Sequence, residues 1–121
     1  MRTILVADDE ADNRTIISLA LTASGYRVCQ ARDGKEAFDV AMREVPDLIL
    51  LDLSMPIVSG WDAARRLKAE PLTLGIPVYA FTANALAGDE AKARAVGCDG
   101  FISKPCIPKD VVEAIHARVG R

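Results

Sequence analysis

The chain is expected to fold as a doubly wound α/β module: a five-stranded parallel sheet with helices on both faces. Three observations predict this. Apolar runs alternate five times with helix-period patterns along the 121 residues. Leu48-Ile49-Leu50-Leu51 has no polar alternation, as suits a strand buried on both faces. Polar residues (Asp8-Asp9, Asp52, Thr82 and Lys104) stand where four of the five runs end.

Thr3-Ile4-Leu5-Val6-Ala7 is the first strand, ending in Asp8-Asp9-Glu10. Asp12 or Asn13 is expected to help start the next helix, whose apolar stripe reads Ile16, Ile17, Ala20, Leu21 and Ser24. Gly25 follows at a C′ position, where a left-handed backbone costs glycine little. Arg27 to Ala31 alternates more than the first run and is placed at a sheet edge. Asp33-Gly34 reads as a turn. Ala37, Phe38, Ala41 and Met42 give the second helix its stripe, and Pro46 closes the connection into the Asp47–Leu53 run. Pro56 and Gly60 then break regular structure, and Ser59-Gly60-Trp61-Asp62 resembles a capping box. Ala63, Ala64 and Leu67 form a helix that must stop before Pro71.

Pro77 to Phe81 is the fourth strand, ending at Thr82. An alanine-rich helix follows over roughly Leu86 to Val96, with Gly97 after it; its small side chains predict the weakest packing of the five helices. Gly100 to Ser103 is a short fifth strand ending at Lys104-Pro105. Pro108 suits a first helical turn, and Val111, Val112, Ile115 and Val119 give the last helix its buried side. With the most apolar runs in the centre, the strand order is 2-1-3-4-5, the flavodoxin-like doubly wound order. Its switch point falls between strands one and three. Ligands bind there, outside the carboxyl ends of the strands.

Composition narrows the function. Half the residues are hydrophobic, enough for one core, and the net charge is −2, so no basic footprint for nucleic acid or an anionic membrane is present. No apolar run approaches a spanning helix, and the first residues carry no signal pattern. Cys29, Cys98 and Cys106 are an odd number without metal-ligand spacing and read as reduced thiols of a cytoplasmic protein. Trp61 reads as packing at a helix start, and His116 as a polar-side residue with no metal or phosphoryl role.

Three carboxylates at one switch point repel one another, and a hard divalent cation relieves that. Mg²⁺ takes oxygen ligands, keeps several waters and often shares its sphere with phosphate. A lysine supplies a point charge suited to phosphate, and a threonine hydroxyl adds a donor. Together these make a phosphoryl-transfer site, in which a carboxylate can itself be the nucleophile.

With these residues in order, the sequence resembles the receiver domain of bacterial two-component response regulators over essentially its whole length. The matching motifs are Asp8-Asp9, Asp52 in Leu51-Asp52-Leu53-Ser54-Met55-Pro56, Gly60, Thr82-Ala83 and Lys104-Pro105. The resemblance implies that Asp52 is the phosphoacceptor and that Mg²⁺ is held by Asp9, Asp52 and the Ser54 carbonyl, with Asp8 acting mainly through water. It implies that Thr82 and Lys104 hold the phosphoryl oxygens and that Phe101 takes the place of the switch aromatic, without the hydroxyl of the tyrosine often found there. Ser54 and Asn84 take the places that flank attacking water and tune the phosphoryl lifetime. The implied function is a stand-alone receiver spanning residues 1–121. It would accept a phosphoryl group from a histidine kinase or histidine phosphotransfer protein and signal to a protein target through the fourth helix, fifth strand and fifth helix, without direct nucleic-acid or membrane binding.

Two other functions compete. A Mg²⁺-dependent phosphatase with an aspartate nucleophile would have a second aspartate two residues after it, where this chain has Ser54, and would need room for a cap. A phosphorylation-independent binding module would not need the acidic set, Thr82 and Lys104 together. On the leading reading the protein is no enzyme beyond self-phosphorylation and slow autodephosphorylation.

Overall fold

Strands with continuous apolar sequence are buried on both faces and need both covered. The computed structural model shows how, and describes residues 2–53, 60–82, 89–103 and 108–120. Among these residues, β1 (Thr3–Ala7), β2 (Arg27–Ala31), β3 (Leu48–Asp52), β4 (Val78–Thr82) and β5 (Gly100–Ser103) form one parallel sheet in the order β2-β1-β3-β4-β5. The helices are α1 (Ala11–Ala23), α2 (Gly34–Glu44), α3 (Gly60–Ala69), α4 (Asp89–Ala95) and α5 (Pro108–Val119). The expected alternation and strand order are both observed. Every residue of β1 and β3 is buried, whereas β2 is buried only at Ala31, as its edge position requires.

Side chains alternate across a strand, and this divides the core in two. Ile4, Val6, Leu48 and Leu50 pack with Ile17 and Leu21 of α1 and Val111 and Ile115 of α5. Leu5, Ile49, Leu51, Val78 and Ala80 pack with Ala37 and Val40 of α2, Ala63 and Leu67 of α3, and Ala93 of α4. Each fully buried Leu, Ile or Val contributes roughly 1.5–3 kcal/mol relative to exposure. The strand ends are therefore held by two independent apolar layers.

Local expectations needed correction at several helix ends. α1 starts at Ala11, and Asp12 helps start it as the acidic residue of the first turn, but the cap position belongs to extended Glu10, whose side chain makes no capping bond. The Asp8 carboxylate accepts the Glu10 amide instead (2.9 Å). Ile16 is half exposed, because the buried face of α1 runs through Ile17, Ser18 and Leu21. Ser24 caps the end of α1 rather than continuing its stripe, and Gly25 takes φ +95° as expected. Asp33-Gly34 is a helix start and not a free turn: the Asp33 carboxylate accepts the Glu36 amide (2.8 Å), and Gly34 is the first helical residue. α2 ends at Val45, a β-branched residue in the left-handed region at φ 43°. α4 is described from Asp89 to Ala95 and α5 begins at Pro108, while Ser59 and the predicted first turn of α4 lie outside the described residues.

The amino-terminal edge of the sheet is closed by polar contacts. Lys68 of α3 donates from Nζ to the carbonyls of Ile76 (2.8 Å) and Leu74 (3.3 Å) and to Asp99 Oδ2 (2.9 Å). The Asp99 carboxylate also accepts the Val78 amide (2.9 Å), and Arg118 of α5 lies 3.9 Å away. Burial raises the Asp99 pKa, but the Val78 amide, Lys68 and Arg118 outweigh it and leave a net lowering. Thr73, fully buried, donates its hydroxyl to the Leu67 carbonyl (2.6 Å) and closes the end of α3.

Candidate functional site

Register decides which residues meet at the opposite, carboxyl edge. Ala7 pairs with Leu51, so the next residues, Asp8 and Asp52, leave neighbouring strands at one level. On the other side Asp52 pairs with Phe81, which puts Thr82 one residue further along the same edge. Thr82 in turn pairs with Ser103, the last residue of β5. Asp8, Asp52 and Thr82 are all nearly inaccessible, at 2%, 4% and 3% exposure, while Asp9 is exposed.

Asp8, Asp9 and Asp52 each offer a carboxylate oxygen, and these atoms all lie within 4.8 Å of one another. A purely oxygen, anionic donor set of this size fits a hard divalent cation that retains waters, so the residues present fit Mg²⁺. The amino end of α1 adds partial positive charge beside them, and Asp8 uses it through the Glu10 amide.

Gly60 brings α3 against this edge. A Cβ there would collide with the Asp52 carbonyl oxygen and the Leu53 Cα, and would stand 2.9 Å from the Asp52 carbonyl carbon. Only glycine lets the first turn of α3 approach the strand that carries Asp52 so closely. Phe101 pairs in register with Ala80 and is half-buried against the α2–α3–α4 layer. Lys104, Ser54 and Asn84 lie outside the described residues, so the structure neither brings them to the acidic cluster nor separates them from it.

Two features escaped the sequence reading. Arg14 donates through Nη1 to the Asp8 carbonyl (2.8 Å) and through Nε to Gln30 Oε1 (3.2 Å). A signal existed: a basic residue beside a helix amino terminus opposes the dipole and calls for a specific partner. Trp61, packed at the start of α3 as expected, also lies beneath a cation, with Lys92 Nζ of α4 4.6 Å from its ring centroid. Of the cysteines, Cys98 is buried and Cys29 half-buried, both as free thiols. Burial pushes the Cys98 thiol up to about 11, and Cys29 is raised mainly for the same reason. Cys106 lies outside the described residues.

A doubly wound sheet with an acidic cluster at its switch point defines a phosphate-handling module of the response-regulator kind. The response regulator receiver domain family matches residues 4–116, and the chain belongs to that family. It is 37% identical to the polar-differentiation response regulator DivK of Brucella anthropi, over 98% of this chain and 97% of DivK. It is 39% identical to the phosphate regulon transcriptional regulatory protein PhoB of Pseudomonas aeruginosa over 99% of this chain, which spans only 52% of PhoB. Among solved structures, the receiver domain of the sensor histidine kinase PA1611 from P. aeruginosa superposes with a TM-score of 0.90 at 32% identity, covering 99% of this chain and 98% of that one. That receiver holds a magnesium ion in its active-site cleft. The chain is accordingly a phosphoacceptor module of two-component signalling, and the phosphatase and the phosphorylation-independent alternatives are not favoured. Receiver domains are signalling domains that interact with histidine kinases or phosphotransfer proteins and with downstream targets. Among the described residues, no helix is long and apolar enough to cross a membrane.

Proposed function

We propose that Asp52 is the phosphoacceptor. The observation that carries this is the convergence of the Asp8, Asp9 and Asp52 carboxylates within 4.8 Å, with Asp52 buried at the exit of β3. A carboxylate oxygen of Asp52 attacks the phosphorus of a phosphohistidine. The phosphorus–nitrogen bond breaks as the new phosphorus–oxygen bond forms, and the imidazole leaves with the electron pair. Asp9 and Asp52, with Asp8 behind them and the Ser54 carbonyl as a third protein ligand, would hold Mg²⁺. When bound, this cation supplies charge neutralisation for the phosphoryl oxygens. Thr82 donates its hydroxyl to one phosphoryl oxygen, and Lys104 sets its ammonium against another. Ser54 and Asn84, both small and polar, leave water a path and give a short to moderate phosphoryl lifetime. Self-phosphorylation and slow autodephosphorylation are the whole of its catalysis.

The aspartyl phosphate adds about −1.5 to −2 charge at the sheet edge. Thr82 and Lys104 are drawn toward it, and Phe101, half-buried before the change, turns into the space Thr82 leaves. The protein target reads the result on the face of α4, β5 and α5. Ala93 is the buried residue of α4's described part, so that helix is held by small contacts. The reading takes residues 1–121 as one receiver working in the cytoplasm, where the free thiols of Cys29 and Cys98 suit a reducing compartment.

The test is intact-mass measurement after incubation with Mg²⁺ and a small phosphodonor such as acetyl phosphate. The wild type gains one alkali-labile phosphoryl group, Asp52→Ala gains none, and Lys104→Ala is modified but signals poorly. A full adduct on Asp52→Ala would assign the acceptor elsewhere. For the output face, amide shifts with beryllofluoride should spread to α4 and Phe101; changes confined to the Asp52 pocket would refute that face.

A further inference from the structure

We infer that Arg14 is a positioning residue for the cation site, fixing the Asp8–Asp9 arm before any metal arrives. The inference rests on the Mg²⁺ reading above. Asp8 stands just past the end of β1, yet its backbone is held on both sides. Its amide donates to the Ala31 carbonyl of β2 (3.0 Å), extending the pairing with the edge strand by one residue. Its carbonyl accepts Arg14 Nη1 (2.8 Å), and the same guanidinium reaches back to β2 through Nε and the Gln30 side chain (3.2 Å). Gln30 directly precedes Ala31, so Asp8 is tied to one short stretch of β2 twice, once directly and once through Arg14.

The tie extends past Asp8. Asp8 Oδ1 accepts the Glu10 amide, and the Glu10 carbonyl accepts the Arg14 amide (3.0 Å). Asp9 therefore lies between two residues whose backbones are both bound. Its carboxylate is exposed and would otherwise lose conformational freedom when it takes up a cation. A planar guanidinium suits this role because its fork engages two acceptors at once, which a lysine ammonium on a flexible stem does less well.

Charge and geometry predict opposite outcomes here, which makes the test decisive. As a cation near the site, Arg14 repels Mg²⁺, so its removal by charge alone strengthens binding. As a positioning group, its removal weakens binding. The experiment titrates the metal-free full chain with MgCl₂ while following the amide resonances of Asp9 and Asp52. Arg14→Gln should bind on the order of tenfold more weakly, the scale of losses when groups that orient metal ligands are removed. Gln30→Met, which keeps the Arg14 charge, should shift affinity in the same direction by a smaller factor, and Arg14→Lys should fall between Arg14→Gln and wild type. In the metal-free proteins, amide exchange at Asp8 to Glu10 should accelerate while the urea unfolding midpoint moves little. If Arg14→Gln does not fold, Gln30→Met at its exposed edge position decides the question by the same two readouts. Affinity equal to or tighter than wild type in Arg14→Gln, or unchanged amide exchange, overturns the assignment of Arg14 alone. A wild type that does not respond to Mg²⁺ overturns the metal site, and this assignment with it.

Discussion

Lys68→Met removes one ammonium and tests whether the amino-terminal edge of the sheet is closed by charge. Methionine keeps most of the apolar stem but none of the three bonds from Nζ to Ile76, Leu74 and Asp99. A hydrogen bond to a charged group is worth about 1.5–3 kcal/mol net, but the Leu74 bond is long and the side chains of Lys68 and Asp99 remain 18% and 30% exposed. Pairs in this intermediate setting fall between the 0.2–1 kcal/mol typical of surface pairs and the roughly 3–5 kcal/mol lost on breaking a buried one. We expect a loss of about 2 kcal/mol, equivalent to a fall in Tm of about 8 °C for a chain of this length. A double-mutant cycle with Asp99→Asn, measured by urea unfolding at pH 7, should give a Lys68–Asp99 coupling of about 1 kcal/mol. Its pH dependence has a defined sign. The folded Asp99 pKa is lowered from 3.8, so its contribution is fully present above the unfolded value and is lost as pH falls through the folded one. The coupling should be flat from pH 7 to about 5 and then vanish in acid. A coupling below about 0.3 kcal/mol at pH 7, or one that grows as pH falls, would refute this account.

Further outcomes follow from other positions. Gly60→Ala should cost about 1–3 kcal/mol by overpacking and also weaken the Mg²⁺ response, because the displaced α3 start presses on Asp52; unchanged calorimetric stability would show that the helix start moves freely. Val45→Gly should gain about 0.5–1 kcal/mol, since a left-handed β-branched residue costs roughly 1–2 kcal/mol and glycine gives some of that back as chain entropy; a lower Tm would contradict it. Cys98 in the folded protein should alkylate about a hundredfold more slowly than an ordinary thiol at pH 8, as its thiol sits near 11 rather than 9.0, and peptide mapping with and without urea will show it.

The strand order and the acidic cluster were legible in the sequence because both follow from which runs are continuously apolar and from where those runs stop. Leu48 to Leu51 had to lie in the middle of the sheet, and Asp52 had to lie at its exit. Helix starts were less legible. Asp33-Gly34 looks the same in sequence whether it forms a turn or a cap, and only the Glu36 amide distinguishes the two. Ile16 and Ile17 are chemically alike, and the direction of α1 over the sheet decides that Ile17 is buried and Ile16 is not. That Arg14 needs a partner was legible from its place at a helix start, but which partner was not, because it bonds a backbone carbonyl and a side chain sixteen residues away on β2. Lys68 and Asp99 are thirty-one residues apart, and no local pattern joins them.

Val78 and Thr82 open and close the same strand. Val78 donates its amide to the Asp99 carboxylate at one edge, while Thr82 stands with the acidic cluster at the other, four residues and roughly 13 Å away at the rise of a β-strand. Changes separated by more than about 7–10 Å and sharing no partner combine nearly additively. Substitutions that alter metal affinity, phosphoryl lifetime or partner choice at one edge can therefore accumulate while the ion network at the other keeps the chain folded. Reinforcing that network offers a way to carry destabilising changes at Asp9, Gly60 or Thr82 without first redesigning the site.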